Sequence, residues 1–418
     1  MHVLVVLQHY HTPDCDTAAR PWALVRALAS EHRVTVLTTD AGRRKRITHD
    51  FDWVPDGARL ETVRVPYANE MATPERLRAF LAYAAKALWT GLRGPRPDLV
   101  YASSTPLTVG AVGAALAARW RCPWVFEVQD LWPDFPIQMG ALEAAGPARP
   151  LLRRALYGLE HFLYRSADRV VTVSPDMAAH VRQFTEARKV FSVEYGTDLD
   201  LLTQADVTQA GATQADGGTR ATPSEPLRER LPVSEHTKIV LYAGNFGRAN
   251  DLRTLVEAAR RTPSRPRDVH FVFAGSGYHR PLLSRAARRL PGVSLLDPLP
   301  YPETLALFEQ VDLSLVSFLD RPVLSANAPS KFFDSLAAGT PVVVTNPGWT
   351  KHFVEQHRCG WYVPAEAPGA LTHRLETLVH DDEQRCQAAR NARRAARAHF
   401  DRAAHMNELL SIIEDVAR

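Results

Sequence analysis

The sequence predicts an α/β protein of two Rossmann-like, doubly wound parallel-sheet domains facing each other across a cleft, with helices at the C-terminus. Three observations carry this. At 418 residues the chain exceeds one ordinary core and suits two domains of about 200 residues. Short, continuously apolar runs alternate with helical patterns in both halves, as strands buried on both faces require. Between the halves lies 203–226, TQADVTQAGATQADGGTRATPSEP, which has almost no large apolar residue and cannot form a core.

The elements follow in order. HVLVVLQ opens as a buried strand, followed by a polar loop, a helix through AARPWALVRALASE and the strand VTVLTT. Further strands are expected at LVYASS (99–104), PWVFEV (123–128), RVVTVS (169–174) and KVFSVEY (189–195). Helical patterns such as PLTVGAVGAALAARW and ARPLLRRALYGLEHFLYRSA separate them. The second half reads KIVLYAG, helix 251–262, VHFVFAG, helix 280–290, VSLLD, helix 302–310 and LSLVSF. It continues with a short helix after Pro329, PVVVT, helix 350–358 and WYVP, and from about 370 onward the pattern is helical. The expected division is an N-terminal domain at 1–198, a linker at 199–234 carrying the insertion, a second domain at 235–380, and helices at 381–418 packing back toward the first domain.

Composition excludes several classes. Apolar content of 45% and charged content of 23% are those of a globular protein. A net charge of +4 without a repeated basic and aromatic pattern argues against nucleic acid, and suits phosphates or anionic lipid equally. Cys15, Cys122, Cys359 and Cys386 form no CxxC or Cys/His cluster, so reduced thiols are expected, with neither zinc nor disulfides. No apolar run approaches the roughly 20 residues of a membrane span, and MHVLVVLQHYHTPD lacks a signal-peptide layout. The expected location is cytoplasmic, with peripheral contact at the inner face of the membrane left open.

Ligands of such folds bind outside the carboxyl ends of the strands. On that rim of the second domain, Gly244-Asn245-Phe246-Gly247-Arg248 offers close backbone approach and a guanidinium suited to phosphate. Gly275-Ser276-Gly277 is a second glycine turn, and Asp297-Pro298-Leu299-Pro300-Tyr301 is a stiff third loop. The sharpest feature is APSKFFDSLAAG, a short helix with Ser330 expected as N-cap and Gly339 as C-cap. Its Lys331 would sit at the positive end of the helix dipole, at a cost of some tenths to about 1 kcal/mol. Asp334 shares its face, so a local Lys–Asp pair is the plain explanation. A pyrophosphate bound by the helix start and Lys331, with Asp334 accepting from a ribose, accounts better for four candidate loops on one rim.

These motifs also resemble a known family. LYAGNFG, FVFAGSG and APSKFFDSLAAGTPVVV, with YASSTPLTVGAVGAALA, VFEVQDLWPDFPIQMGAL and RVVTVSPDM, resemble the retaining glycosyltransferases of family four, which have the GT-B fold. The set is most similar to the branch that transfers N-acetylhexosamine-type sugars in bacterial surface-polysaccharide assembly. The resemblance makes 1–198 the acceptor-binding domain and 235–380 the donor-binding domain. It implies that Arg248 and Lys331 hold the donor diphosphate, Asp334 the ribose, and Gly275, Ser276, Gly277 and Pro298 the base. Asp130 would face the transferred sugar. Three departures stand out. The family's first glutamate is Ala326 here, leaving the sugar-facing contact to the backbone or to neighbours such as Ser325 and Asn327. The histidine before the aspartate is Gln129, and the loop from His9 to Asp14 lacks paired glycines.

The implied function is transfer of a sugar from a nucleotide diphosphate, UDP-N-acetylhexosamine or UDP-hexose, to an acceptor hydroxyl with retention of configuration. The setting would be cell-surface polysaccharide or glycolipid assembly. Arg248, Lys331 and the helix start supply positive charge where the leaving group becomes anionic, a layout that requires neither metal nor cofactor. Expected donor contacts are Gly244, Asn245, Gly247, Arg248, Gly275, Ser276, Gly277, Pro298, Ser325, Asn327, Ser330, Lys331 and Asp334. Asp130, Arg248 and Lys331 are the catalytic candidates. His9, His11, Glu127 and Gln129 are the acceptor candidates, with Glu127 a second choice for acid/base work. The acceptor would be a glycan, a glycolipid or a small molecule. A soluble natural-product acceptor, a nucleotide-sugar epimerase and a non-catalytic nucleotide-sugar binder are the alternatives. Within 76–93, the stripe Leu77, Phe80, Leu81, Ala84, Leu88 and Leu92 is expected chiefly as core packing, though a basic amphipathic helix beside the run Arg43-Arg44-Lys45-Arg46 could also lie on an anionic membrane.

Overall fold

The structure is a computed structural model that describes residues 1–15, 20–40, 54–67, 71, 73–142, 146, 148–202, 226–262 and 269–417. The basic run at 43–46 and nearly all of the polar insertion at 203–226 lie outside these residues. Two parallel sheets organise the chain. The first contains β1 (His2–Leu7), β2 (Arg33–Thr39), β3 (Ala58–Val63), β4 (Leu99–Ser104), β5 (Trp124–Val128), β6 (Arg169–Thr172) and β7 (Val190–Ser192), in the order β3-β2-β1-β4-β5-β6-β7. The second contains β8 (Lys238–Ala243), β9 (Val269–Ala274), β10 (Val293–Leu296), β11 (Leu313–Val316), β12 (Val342–Val344) and β13 (Gly360–Tyr362), in the order β10-β9-β8-β11-β12-β13. This is the GT-B architecture.

Strand β3 was not legible in the sequence. ARLETV is a half-exposed edge strand with one buried residue, so it lacks the apolar run that marks its neighbours. In each sheet the order reverses beside the first strand: β1 lies between β2 and β4, and β8 between β9 and β11. Those two switch points open a crevice at the carboxyl ends of the strands, where a ligand has the backbone of two diverging loops to bind.

The first domain has helices α1 (Arg20–Ala29), α2 (Thr73–Arg93), α3 (Leu107–Trp120), α4 (Asp134–Gln138), α5 (Arg149–Ser166) and α6 (Pro175–Val181). The second has α7 (Leu252–Arg261), α8 (Arg280–Arg289), α9 (Tyr301–Glu309), α10 (Ser330–Ala338), α11 (Trp349–His357) and α12 (Pro368–His380), followed by α13 (Asp382–His399) and α14 (Arg402–Ala417). Beyond 381, α13 stays on the second domain, where Arg393 donates to the Ala338 carbonyl and Asn391 to that of Arg358. Only α14 crosses back. Its Met406, Leu409, Ile412 and Ile413 fill a core with Val3, Val5, Leu24 and Val25 of the first domain.

Two local expectations are corrected. Pro329, not Ser330, is the N-cap of α10, because Pro329 already has the extended backbone of a cap and Ser330 is the first helical residue. Gly339 closes the helix with φ +76°, as a left-handed C-cap requires. Along α2 the buried face is Ala79, Phe80, Tyr83, Ala87 and Gly91, while Leu77, Leu81 and Leu92 are exposed. The expected core stripe is therefore rotated outward, because the small residues Ala79, Ala87 and Gly91 let α2 approach the sheet and α3 closely. A Cβ on Gly91 would fall 2.7 Å from a Leu116 methyl.

Candidate functional site

The second domain builds the better-defined half of the crevice. β8 runs into Gly244, whose φ is +112°, and β9 into Gly275 and Gly277, with φ of +139° and +133°. The two turns abut: Gly244 N–H donates to the Ala274 carbonyl and Phe246 N–H to that of Ser276. A Cβ on Gly275 would lie 2.1 Å from the Gly244 carbonyl oxygen, so only glycine permits this contact. Arg280 braces the second turn and the third loop together, donating to the Gly275 carbonyl at 2.7 Å and pairing with Asp297. Pro298 is partly exposed in that third loop.

A cavity of about 200 Å³ lies between the Gly244 turn, α9 and the start of α10; Gly275, Ser276, Gly277 and Pro298 do not line it. Gly244, Asn245, Asn250, Tyr301, Ser330, Lys331 and Asp334 are among the residues that line it. Lys331 is 9% exposed, and its ammonium sits 3.6 Å from the centre of the Tyr242 ring. No carboxylate among the described residues pairs with it, so the local Lys331–Asp334 ion pair is not formed. Burial pushes the Lys331 pKa down to about 7. A buried cation at a helix N-terminus, set against an aromatic face and without an ion pair among the described residues, is chemically suited to an anion.

Asp334 is turned to another task. Its Oδ1 accepts hydrogen bonds from the Thr197 hydroxyl and the Tyr301 hydroxyl, both at 2.8 Å. The Tyr301 oxygen in turn accepts from Arg402 at 2.9 Å, and Arg402 also reaches Asp198 at 2.7 Å and the Gly196 carbonyl. Tyr301 N–H donates to the carbonyls of Pro13 and Cys15 in the loop after β1. The crossover at 196–198, the first residue of α9, the base of α14 and the first domain thus meet at one carboxyl. Burial raises the Asp334 pKa to about 6, with Arg402, Tyr301 and Thr197 opposing.

Arg248 is not brought to the same cavity. It is exposed, and its guanidinium stacks 3.8 Å from the centre of the Tyr278 ring. Ser325 and Asn327 flank Ala326 in a short 3-10 turn, Pro322–Ala326, that docks on the first domain. The Ala326 carbonyl accepts from Ser174 at 2.6 Å, and the Asn327 carbonyl from the Trp349 indole at 2.9 Å. Trp349 N–H is bound by Asp176 at 2.9 Å, a further bridge between the domains.

In the first domain, Glu127 is removed from the surface. It is 1% exposed; Oε1 pairs with Arg20, and Oε2 accepts from Ser103 at 2.6 Å and Gln129 at 2.9 Å. Burial opposes its charge, but Arg20 and these donors outweigh it and hold the pKa below the ordinary value. Glu127 and the Gln129 amide therefore serve a buried network and do not face an acceptor. Asp130 differs. Its pKa is raised to about 6 by burial, and the only hydrogen bond of its carboxylate among the described residues is a long one of 3.4 Å from Thr105. His9 and His11 stack at 5.9 Å, and His9 lies 4.7 Å from Tyr67. Among the described residues no cluster of His, Cys, Asp or Glu could hold a metal ion, and no helix is long and apolar enough to cross a membrane.

Tyr242, Thr197, Tyr301 and Arg402 were not legible as site residues. Their roles depend on contacts between segments up to about 200 positions apart, for which spacing in sequence gives no signal.

Known proteins match this layout. Residues 17–196 match the Glycosyl transferase 4-like domain and residues 223–395 the Glycosyl transferases group 1 domain. A D-inositol 3-phosphate glycosyltransferase of Corynebacterium urealyticum is 26% identical over 84% of this chain and 79% of its own. The probable glycosyltransferase WbjE of Pseudomonas aeruginosa is 22% identical over 69% of this chain and 68% of its own. Among solved structures, HepE of Anabaena in complex with UDP and glucose superposes with a TM-score of 0.68 at 17% identity, covering 99% of this chain and 100% of HepE.

Proposed function

Because the chain belongs to the GT-B glycosyltransferases, with the paired domains of family four, we propose that its donor is a UDP-sugar, a UDP-N-acetylhexosamine or UDP-hexose, whose diphosphate binds between Lys331 and the start of α10. The observation that carries this is the buried Lys331 ammonium, which has no counter-charge among the described residues and stands in the first turn of α10. UDP bound in the structural neighbour HepE supports the same base.

Transfer then proceeds as the charge distribution allows. Lys331 and the helix start stabilise the departing diphosphate, so no metal is needed for that task. Arg248, freed from Tyr278, supplies a second cation from an exposed loop. Asp130 faces the transferred sugar from the first domain, and the configuration is retained, as the family resemblance implies. The acceptor is a glycan or glycolipid of cell-surface polysaccharide assembly, presented at a membrane. A soluble polar acceptor is the second reading, favoured by the match to the inositol-phosphate enzyme over most of the chain.

The test is thermal stabilisation by UDP, GDP, ADP and their sugars, for wild type and Lys331→Ala, with EDTA present throughout. A ligand at about a hundred times its Kd adds roughly 2.7 kcal/mol, several degrees in a protein of this size. A shift with UDP that is lost in the variant supports the reading. No shift with any nucleotide removes it. The anomeric configuration of the product, read by NMR, tests retention separately.

A further inference from the structure

The outward apolar stripe of α2 has a counterpart on α5. Among the described residues, ten large apolar side chains stand exposed, and seven of them lie on these two helices. On α2 they are Leu77, Leu81, Trp89 and Leu92; on α5 they are Leu151, Leu152 and Phe162. Concentration on two of fourteen helices is not the scatter expected of an ordinary surface.

The two helices share one layer. α3 packs between them: a Cβ on Gly91 of α2 would touch Leu116 of α3, and one on Gly110 of α3 would touch Leu163 of α5. Both outer stripes therefore face away from the same side of the sheet. α2 follows β3 and α5 follows β5, so both helices start at the carboxyl ends of the strands, which is the cleft end. Leu77, Leu81, Leu151 and Leu152 lie in those starting halves. On the inner side of the same turn of α2, Phe80 contacts Trp132 at 5.9 Å and Tyr67 at 5.8 Å, and Tyr67 leads to His9 at the crevice.

Charge decides what covers this face. Arg78, Lys86 and Arg93 are exposed on α2, and Arg149, Arg153, Arg154 and Arg165 on α5. Against them stands one exposed acid on the two helices, Glu75, since Glu160 is buried. The Arg93 guanidinium lies 3.2 Å from the centre of the Trp89 ring, so cation and aromatic present themselves together. Leucines that sink below headgroups, flanked by long basic side chains that reach phosphates, form the pattern of an interfacial surface.

We propose that the outer face of α2 and α5 docks on an anionic phospholipid bilayer and sets the cleft rim against it, where a lipid-borne acceptor is presented. This rests on the reading of the acceptor above and adds the surface that meets it.

The experiment is co-sedimentation of the full chain with vesicles of phosphatidylglycerol and phosphatidylcholine, and with phosphatidylcholine alone. Two variants are compared, Leu77→Ser/Leu81→Ser/Trp89→Ser and Arg149→Glu/Arg153→Glu/Arg154→Glu, each checked for an unchanged thermal shift with UDP. That check keeps the donor site and the fold separate from the docking face. The expected result is at least fivefold enrichment on anionic vesicles, lowered fivefold or more in either variant and weakened by high salt. Equal binding to both vesicle types, or variants that bind as wild type does, would overturn the proposal. So would absence of vesicle binding, including the case in which light scattering shows a dimer abolished by the same substitutions.

Discussion

Lys331 Nζ lies 3.6 Å from the centre of the Tyr242 ring, and no carboxylate among the described residues forms an ion pair with it. An apolar residue at that position should be tolerated by the empty protein and fatal to donor binding. Lys331→Met is expected to leave the stability of the empty protein unchanged or raise it by about 1 kcal/mol, since an unpaired buried charge is removed. The same variant should lose the shift given by UDP. A variant that still shifts as wild type does would place the diphosphate elsewhere.

In the proposed donor site, the depressed Lys331 pKa, about 7, ties donor affinity to pH. Above that value the empty site holds a neutral amine, and a bound diphosphate restores the ammonium, so binding takes up a proton. UDP affinity should then fall up to tenfold per pH unit between about 7 and 9. Calorimetry at pH 8 in two buffers of different ionisation enthalpy should report uptake approaching one proton, absent in Lys331→Met. Equal heats in both buffers would contradict the assignment.

Tyr301→Phe removes one bond to Asp334 and one acceptor for Arg402, and leaves both groups buried. The expected loss is roughly 1–3 kcal/mol of stability. Because this carboxyl joins the interdomain crossover to α10, where the donor diphosphate is proposed to bind, donor KM should rise more than kcat falls. The pH dependence has a defined sign. Asp334 has a folded pKa raised to about 6, so its contribution is fully present below about pH 4 and lost as pH rises through 6. Asp334→Asn should remove that limb from a plot of melting temperature against pH.

The two first-domain carboxylates should respond differently. Glu127→Gln breaks a fully buried pair with Arg20 and should cost roughly 3–5 kcal/mol, lowering the melting temperature whatever the substrate. Asp130→Asn should keep the fold and lower kcat. With its pKa near 6, a rate that uses ionised Asp130 falls about tenfold per unit below that pH, and this acid limb should vanish in the variant. A stable, active Glu127→Gln protein would reverse the two roles.

The sequence by itself determined the architecture and pointed to the rim loops and the helix start of the proposed donor site. Continuous apolar strands, glycines at the carboxyl ends of β8 and β9, and the cation at the start of α10 are local patterns. Strand burial, positive φ and helix dipoles act over a few residues, so each leaves a mark in a short window. Only the tertiary structure decided what Asp334 bonds to, that Glu127 is spent on Arg20, that Arg248 rests on Tyr278, and which face of α2 is buried. Those outcomes depend on distant partners: Thr197 and Arg402 for Asp334, Arg20 for Glu127, and the close approach of α3 for α2. Apolar periodicity marks a stripe but not its direction, because small residues such as Ala87 and Gly91 can win the buried side through closeness of packing where leucine would win it by area.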